Sequence, residues 1–342
     1  LSLSVVAGSL KNKRSAQVFR RNLLFGASPE LGGTPVNGLF PGGRQLGPPT
    51  SDFSGEETFS EFTPRASITF KPNADNTLYA SYSRGFKGGG FDPRGLSPAA
   101  PDLDADGVRE PSEIFDYFLF EPETVTSYEL GYKAALLDRR LNLALALFRA
   151  DYRDVQVPGS VGAVINGIPS FVGVTTNAGK ARFQGLELET NAVLARDFAG
   201  PRSRLSLVST LGYIDAKYRE FVTNVAFFDA QGRPAPASLG QPIDVADFRK
   251  IQNTPKWTAS STLDLTLPVG ESLLNANIGA SYRSKTYQFE TPSPFLDQPG
   301  YTLWDANLTY EFGRFRFGLH GKNLTDERYI TSGYQFLSVN PV

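Results

Sequence analysis

The sequence predicts an all-β fold, an antiparallel β-barrel that spans a membrane. Three observations predict it. Apolar and polar residues alternate along many segments, helical periodicity is nearly absent, and the connections between the segments alternate between short and long. The segments run for about nine to eleven residues, the length that a tilted strand needs to cross a bilayer. Tight turns at one end and long loops at the other are typical of outer-membrane barrels.

Eleven strands are predicted in chain order, the first of them weakly: 1–6, 65–71, 77–86, 123–136, 141–157, 181–194, 204–219, 257–267, 274–283, 304–312 and 315–322. Each has one mostly apolar and one mostly polar face. The strand 141–157 is less regular, because its leucines occupy odd positions whereas Phe148, Ala150 and Tyr152 occupy even ones. A β-bulge near residue 148 would reconcile the two halves.

The connections are sorted by length. Short ones with turn residues are expected at 72–76, 137–140, 269–272 and 313–314, and long ones at 87–122, 158–174, 222–253 and 290–299. A soluble β-sandwich gives no reason for such sorting, so 87–122 is interpreted as a long extracellular loop. Aromatic residues near strand ends, such as Tyr82, Tyr128 and Trp304, fit the interfacial girdles of a barrel.

Composition excludes several function classes. The 342 residues include 34 basic and 35 acidic side chains, a net charge of −1 that offers no footprint for nucleic acid. There is no Cys, which removes thiolate catalysis and zinc ribbons, and only one His, His320. No apolar run is long enough for a transmembrane helix, which takes about 18 residues. The chain has no Met, not even a start residue, and is interpreted as a piece of a longer protein.

The polar faces predict what lies inside the barrel. If the apolar faces meet lipid, the lumen is lined by Glu129, Lys133, Glu187, Glu189, Arg283, Asp305 and Arg316. So many charges cannot pack dry, so the lumen holds water or a polar insert. Glu187 and Glu189 lie two apart on one strand, but nothing nearby marks a substrate cleft. Catalysis is therefore disfavoured, and no cofactor is required.

Four segments carry a family resemblance. The segments 77–91 (TLYASYSRGFKGGGF), 120–133 (FEPETVTSYELGYK) and 177–189 (NAGKARFQGLELE) resemble the barrel of TonB-dependent outer-membrane receptors, and 321–329 (GKNLTDERY) resembles a stretch near the end of that barrel. Residues 1–342 are then one barrel domain, about half of a 22-stranded barrel. The resemblance implies that the plug domain, the TonB box and a final strand lie outside this sequence.

The resemblance also implies a function. It implies a receptor in the outer membrane of a Gram-negative bacterium that contacts membrane lipid, TonB and a plug, and that imports a scarce solute, first of all a ferric siderophore. Arg84, Phe86 and Lys87 lie where such a ligand would pass, and two cations with an aromatic suit an anionic or catecholate ligand. Two alternatives stay open: a passive porin-like or adhesive barrel, and a soluble calcium-binding β-sandwich.

A candidate calcium loop lies within the 87–122 connection. Residues 102–113 fit the pattern D-x-D-x-D-G followed by five residues and a Glu. The oxygen ligands would come from Asp102, Asp104, Asp106, the Val108 carbonyl, Glu110 and Glu113. The departures are Arg109, Pro111 and the lack of obvious flanking helices. The alternative is a solvated acidic loop.

Overall fold

The computed structural model describes residues 1–24, 34–35, 44–104, 106–165, 168–177, 179–224 and 242–333. Its main sheet contains eleven long strands: β1 Ser2–Leu24, β2 Arg44–Asn73, β3 Asn76–Lys87, β4 Glu123–Leu136, β5 Leu141–Arg153, β6 Gly179–Arg196, β7 Arg204–Asn224, β8 Trp257–Val269, β9 Ser272–Arg283, β10 Tyr301–Phe312 and β11 Phe315–Gly321. Each pairs antiparallel with its neighbours in sequence. The predicted antiparallel fold is confirmed.

The sheet is open. Within the described ranges, β1 and β11 each pair along one edge only, so the eleven strands form a partial barrel. Turns of a few residues follow β2, β4, β6, β8 and β10, whereas long connections follow the odd-numbered strands up to β9. The predicted sorting of loops is therefore confirmed, and the two rims are called the short-turn end and the long-loop end.

Smaller elements lie at the long-loop end. An eight-residue helix, α1 Pro111–Phe118, leads into a short strand Leu119–Phe120 that pairs with Gly90–Phe91. The predicted long connection after β5 holds a separate hairpin of Gln156–Ile165 with Ile168–Asn177. Among the described residues, no helix is both long enough and apolar enough to cross a membrane.

The pairing register separates two faces of the sheet. One row of directly opposed residues, termed the apolar row, runs across eight strands: Leu3, Ile68, Ala80, Leu130, Leu147, Leu186, Tyr213 and Trp257. Its side chains are left open, with Leu130 54% exposed, because no other layer of the described chain covers them. An apolar surface of this extent requires lipid or a partner. We call this side the apolar face and the other side the polar face.

The first two strands are longer than predicted. The alternation predicted 1–6 and 65–71, but β1 and β2 extend far beyond these limits toward the long-loop end. Their outer halves pair with each other over an unbroken register from Ser2 to Arg20. The extensions carry polar residues on both faces, as in Lys11 to Arg14, so period-two alternation gives no signal there.

The prediction of a β-bulge near residue 148 is wrong. β5 pairs with β4 and β6 without a register shift from Leu141 to Arg153. Arg149 and Asp151 follow Leu147 on the apolar face, while Phe148 points to the other side. The leucines stop at Leu147 because the strand continues beyond the apolar part of its face. The predicted strand 141–157 also ends earlier, at Arg153.

Candidate functional site

The polar face carries a hydrogen-bonded cluster midway along the strands. The Tyr79 hydroxyl donates to Glu129 Oε1 at 2.6 Å, and Lys133 Nζ lies 5.8 Å from the centre of the Tyr79 ring. Tyr79 lies directly opposite Gly131, and a Cβ on that glycine would approach the ring to 2.1 Å. The glycine therefore permits the tyrosine to lie flat against the neighbouring strand, a known way of covering a strand glycine with an aromatic ring.

The residues predicted to line a lumen lie on this polar face. Their strand positions share one side of the sheet with Tyr79: Glu129, Lys133, Glu187, Glu189, Arg283, Asp305 and Arg316. Arg316 pairs with Glu311, and Arg283 donates to the Asn253 carbonyl at 3.0 Å. That this face encloses a wet lumen stays a prediction.

The three residues predicted to bind ligand do not converge. In β3, Arg84 and Phe86 follow Tyr82 on the apolar face. Lys87 lies on the opposite side, directly across from Glu123 in the strand register. Arg84 Nη2 lies 3.1 Å from Glu61 Oε2. One strand cannot point three nearly consecutive side chains at one ligand, because successive side chains alternate in direction.

An aromatic cluster joins α1 to the long strands. Phe118 is 1% exposed, and its ring stacks on Phe53 with centroids 4.4 Å apart. Phe91, Val18 and Phe115 complete the packing. The cluster therefore fixes the long loop against the extensions of β1 and β2. This part of the long-loop end is a packed assembly with its own core.

A buried ion pair joins the same loop to the hairpin after β5. Asp92 is 2% exposed and accepts from Arg94 through both carboxylate oxygens, at 3.0 and 2.6 Å. The Thr175 hydroxyl donates to Asp92 Oδ2 at 2.8 Å. Burial alone would raise the pKa of Asp92, but the bonds from Arg94 and Thr175 outweigh it and hold the pKa below its ordinary value.

Two amide side chains also connect the long loop after β3 to the hairpin after β5. Gln156 Nε2 donates to the carbonyls of Gly88 and Glu121, each at 3.0 Å. Asn177 donates to the carbonyls of Glu121 and Asp154 and accepts from the Glu121 N–H at 2.8 Å. The sequence pattern did not indicate these residues, since they pair segments far apart in the chain.

The acidic loop brings its aspartates together. Carboxylate oxygens of Asp102, Asp104 and Asp106 lie within 4.8 Å of one another. Asp102 Oδ2 also accepts from the Gly107 N–H at 2.9 Å and lies 2.8 Å from Arg109 Nη1. The guanidinium is thus a positive charge within the site predicted for Ca²⁺, so Arg109 and a bound cation would compete.

The glutamates of this loop have a structural role. Glu113 accepts from the backbone N–H of Leu103 at 2.5 Å and of Glu110 at 3.1 Å, and these bonds lower its pKa. Glu110 and Glu113 form the capping box of α1, so a helix does follow the loop, contrary to the sequence analysis. The Val108 carbonyl accepts from Arg109. Calcium binding stays a prediction.

A cavity of about 540 Å³ lies beside β7, next to the start of β8. Its lining carries five basic side chains and two acidic ones; the basic ones are Lys217, Arg249, Lys250, Lys256 and Lys285. Tyr218 also lines it and donates to Glu290, whose pKa is raised by burial and partly lowered again by Arg249. The sequence analysis did not predict this cavity.

Comparison with known proteins decides the family. The family model described as "TonB dependent receptor-like, beta-barrel" matches residues 37–324. The chain belongs to the TonB-dependent receptor family. It is the β-barrel part of such a receptor, and the family is located in the outer membrane. That the long-loop end is the extracellular end stays a prediction, based on the sorting of loops in outer-membrane barrels.

The similar TonB-dependent receptors are distant. "Probable TonB-dependent siderophore receptor PiuA" from Acinetobacter baumannii is 24% identical over 275 residues, 80% of this chain and 31% of that protein. "Metal-pseudopaline receptor CntO" from Pseudomonas aeruginosa is 25% identical over 292 residues, 85% of this chain and 33% of that protein. The crystal structure of the ferric yersiniabactin uptake receptor FyuA from Yersinia pestis has a TM-score of 0.57 at 20% identity, covering 86% of this chain and 37% of that one. The chain spans about a third of the length of the curated relatives it matches.

Proposed function

We propose that the receptor containing this barrel imports a ferric siderophore across the outer membrane with energy supplied through TonB. The observation that carries the proposal is the middle of the polar face, where Tyr79, Glu129 and Glu187 lie on the same side of the sheet. A polar surface of this kind suits a solute and a plug that both need hydrogen bonds, whereas a passive adhesive barrel needs none. The charged positions on it, such as Glu187 and Arg283, supply both donors and acceptors.

The names of two relatives support the class of cargo. One is described as a siderophore receptor and the other as a metal-pseudopaline receptor, and both are metal-chelate receptors by those names. Within this chain, Lys87 is the cation of the predicted trio that lies on the side of the polar face. We propose that Lys87 meets an anionic ferric chelate as it enters.

The test is uptake by the full-length receptor in a strain that lacks its own siderophore receptors. Radioactive iron is supplied as catecholate, hydroxamate and carboxylate chelates, with and without TonB. We expect one chelate class to be taken up only when both the receptor and TonB are present. Equal uptake without TonB would support a passive porin, and no preference for any chelate would contradict the siderophore proposal.

A matched pair of variants tests whether Lys87 contacts the ferric chelate. Lys87→Gln removes a cation at the extracellular end, and Lys71→Gln removes one near a short turn. We expect weaker binding of the ferric chelate for the first variant only. Equal affinities for the two variants would remove Lys87 from the binding site while leaving the transport proposal intact.

A further inference from the structure

Basic side chains continue the apolar face beyond the apolar row. The next positions on β4 to β7 toward the extracellular end are Tyr128, Arg149, Gln184 and Asp215, and those after them are Thr126, Asp151, Arg182 and Lys217. Directly opposed residues on neighbouring strands are about 5 Å apart, so these side chains form a continuous surface. Lys256, which directly precedes Trp257 in the sequence, is counted as part of this surface. We call Arg149, Arg182, Lys217 and Lys256 the outward basic band.

The outward basic band is held in place. Asp151 Oδ2 accepts from Arg149 Nε at 2.8 Å, and Asp151 Oδ1 from Arg182 Nε at 2.6 Å, so one carboxylate orients two guanidinium groups. One positive charge remains after this pairing. Arg149 is 48% exposed, and its remaining N–H groups are open to a ligand. Phosphate oxygens suit such planar donors well.

Of the two lysines, Lys217 is paired with Asp215, with Nζ 3.1 Å from Oδ2, so the net charge beside the aromatic pair comes from Lys256. Lys256 Nζ lies 5.6 Å from the Tyr213 ring centre, and no acidic partner is recorded for Lys256 in the described part of the chain. Tyr213 and Trp257 are in contact, with centroids 4.6 Å apart, at the end of the apolar row. Aromatic pairs of this kind mark the level where hydrocarbon gives way to headgroups.

The cavity beside β7 adjoins the band. Lys217 and Lys256 line it together with Lys250, which likewise has no recorded acidic partner among the described residues. Its volume of about 540 Å³ is large enough for a phosphorylated sugar. The cavity and the band therefore share two basic side chains, Lys217 and Lys256.

We propose that the outward basic band and this cavity bind the phosphate groups of an anionic glycolipid in the outer leaflet. The location favours a lipid over a soluble anion, because the band faces the same way as the lipid-facing leucines and lies next to the aromatic pair. A transported solute would approach the polar face instead. The proposal depends on the membrane location of the barrel and is independent of the cargo.

The experiment measures binding of fluorescent bisphosphorylated lipid A to the full-length receptor in neutral detergent. Arg149→Gln with Arg182→Gln is compared with the unchanged receptor. Each cation near a charged lipid surface contributes roughly 1 kcal/mol, so losing two weakens the apparent Kd about thirtyfold. Dephosphorylated lipid A should bind weakly to both proteins.

Two control variants show whether the position of the removed cations matters, rather than total charge, and whether a loss of binding comes from misfolding. Arg139→Gln with Arg314→Gln removes two cations at the short-turn end and should leave the Kd unchanged. Lys217→Gln with Lys256→Gln leaves the Asp151 pairs intact, so a loss of affinity there cannot come from misfolding of those pairs. Equal binding by all variants, equal binding of the dephosphorylated lipid, or displacement by inorganic phosphate alone would each overturn the proposal.

Discussion

At the residue scale, the pair of Asp92 and Arg94 connects two segments at the long-loop end. The connecting hydrogen bond joins Asp92 to Thr175, 83 positions apart in the chain. Asp92→Asn keeps the shape and removes the charge. Hydrogen bonds to charged groups contribute about 1.5–3 kcal/mol, so we expect the free energy of local opening to fall by about 2 kcal/mol. Hydrogen exchange of residues 88–95 and of the 156–177 hairpin measures it. Asp75→Asn breaks the exposed pair with Arg139 and should cost less than about 1 kcal/mol.

The same pair gives a pH dependence. Because the pKa of Asp92 is lowered in the folded state, its stabilisation is complete above the ordinary value of 3.8 and is lost as the pH falls through the lowered value. The protection of the 88–95 segment, measured relative to the intrinsic exchange rate at each pH, should therefore fall below pH 3.8 in the unchanged receptor. In the Asp92→Asn variant, this acid-dependent loss of protection of the 88–95 segment should be absent. An identical acid response in both proteins would contradict the role assigned to Asp92.

At the element scale, Phe118 is the most deeply buried residue of α1, at 1% exposed. Phe118→Ala removes the ring that stacks on Phe53, and such core truncations cost about 3–5 kcal/mol. We expect α1 to detach and its amide protons to exchange freely while the strands of the sheet stay protected. Phe295→Ala is the control, because Phe295 is 63% exposed and its loss should leave exchange unchanged. Retained protection of α1 would show that Phe115 and the capping box hold the helix without Phe118.

The acidic loop supports a separate prediction. If residues 102–113 bind Ca²⁺, calcium titration of the full-length receptor should show one site that Asp104→Asn removes. Arg109→Ala should strengthen binding, since the guanidinium lies 2.8 Å from Asp102 Oδ2. Isothermal calorimetry measures both, with Asp116→Asn as a control outside the loop. Absence of a calcium signal in Arg109→Ala would favour the solvated acidic loop.

The elements differ in how far the sequence predicts them. β8 was predicted closely, because a strand with lipid on one side and water on the other must alternate. The outer halves of β1 and β2 were missed, since polar residues occur on both faces and the few apolar ones, such as Val18 and Phe53, do not alternate regularly. Arg84 and Phe86 were assigned to one site with Lys87 because the sequence gives their spacing but not the side each takes. The pair of Asp92 and Thr175 was unpredictable, because it depends on tertiary contact between two loops.

At the scale of the whole molecule, the two faces can be mapped directly. The chain contains no cysteine, so single cysteines report cleanly once any outside this sequence are replaced. Leu130→Cys should resist a charged maleimide in the membrane-embedded receptor, whereas Glu129→Cys, one residue away, should react. Solubility in aqueous buffer without detergent, with Leu130→Cys still protected, would instead favour a soluble β-sandwich, whose core would contain the apolar face. Labelling at neither would contradict a wet lumen.

The strand order also determines how such a sheet can be built. Among the described residues, every long strand pairs with the long strands next to it in sequence, and two short strands, Thr34–Pro35 and Pro242–Asp244, pair with β2 and β7. Short connections join β2 to β3, β4 to β5, β6 to β7, β8 to β9 and β10 to β11. Closing a short hairpin costs little chain entropy, so these five hairpins are local folding units. Assembly can add them one at a time at a single advancing edge. The advancing edge and the free edge of β1 then need shielding from aggregation while the rest of the chain is still unfolded.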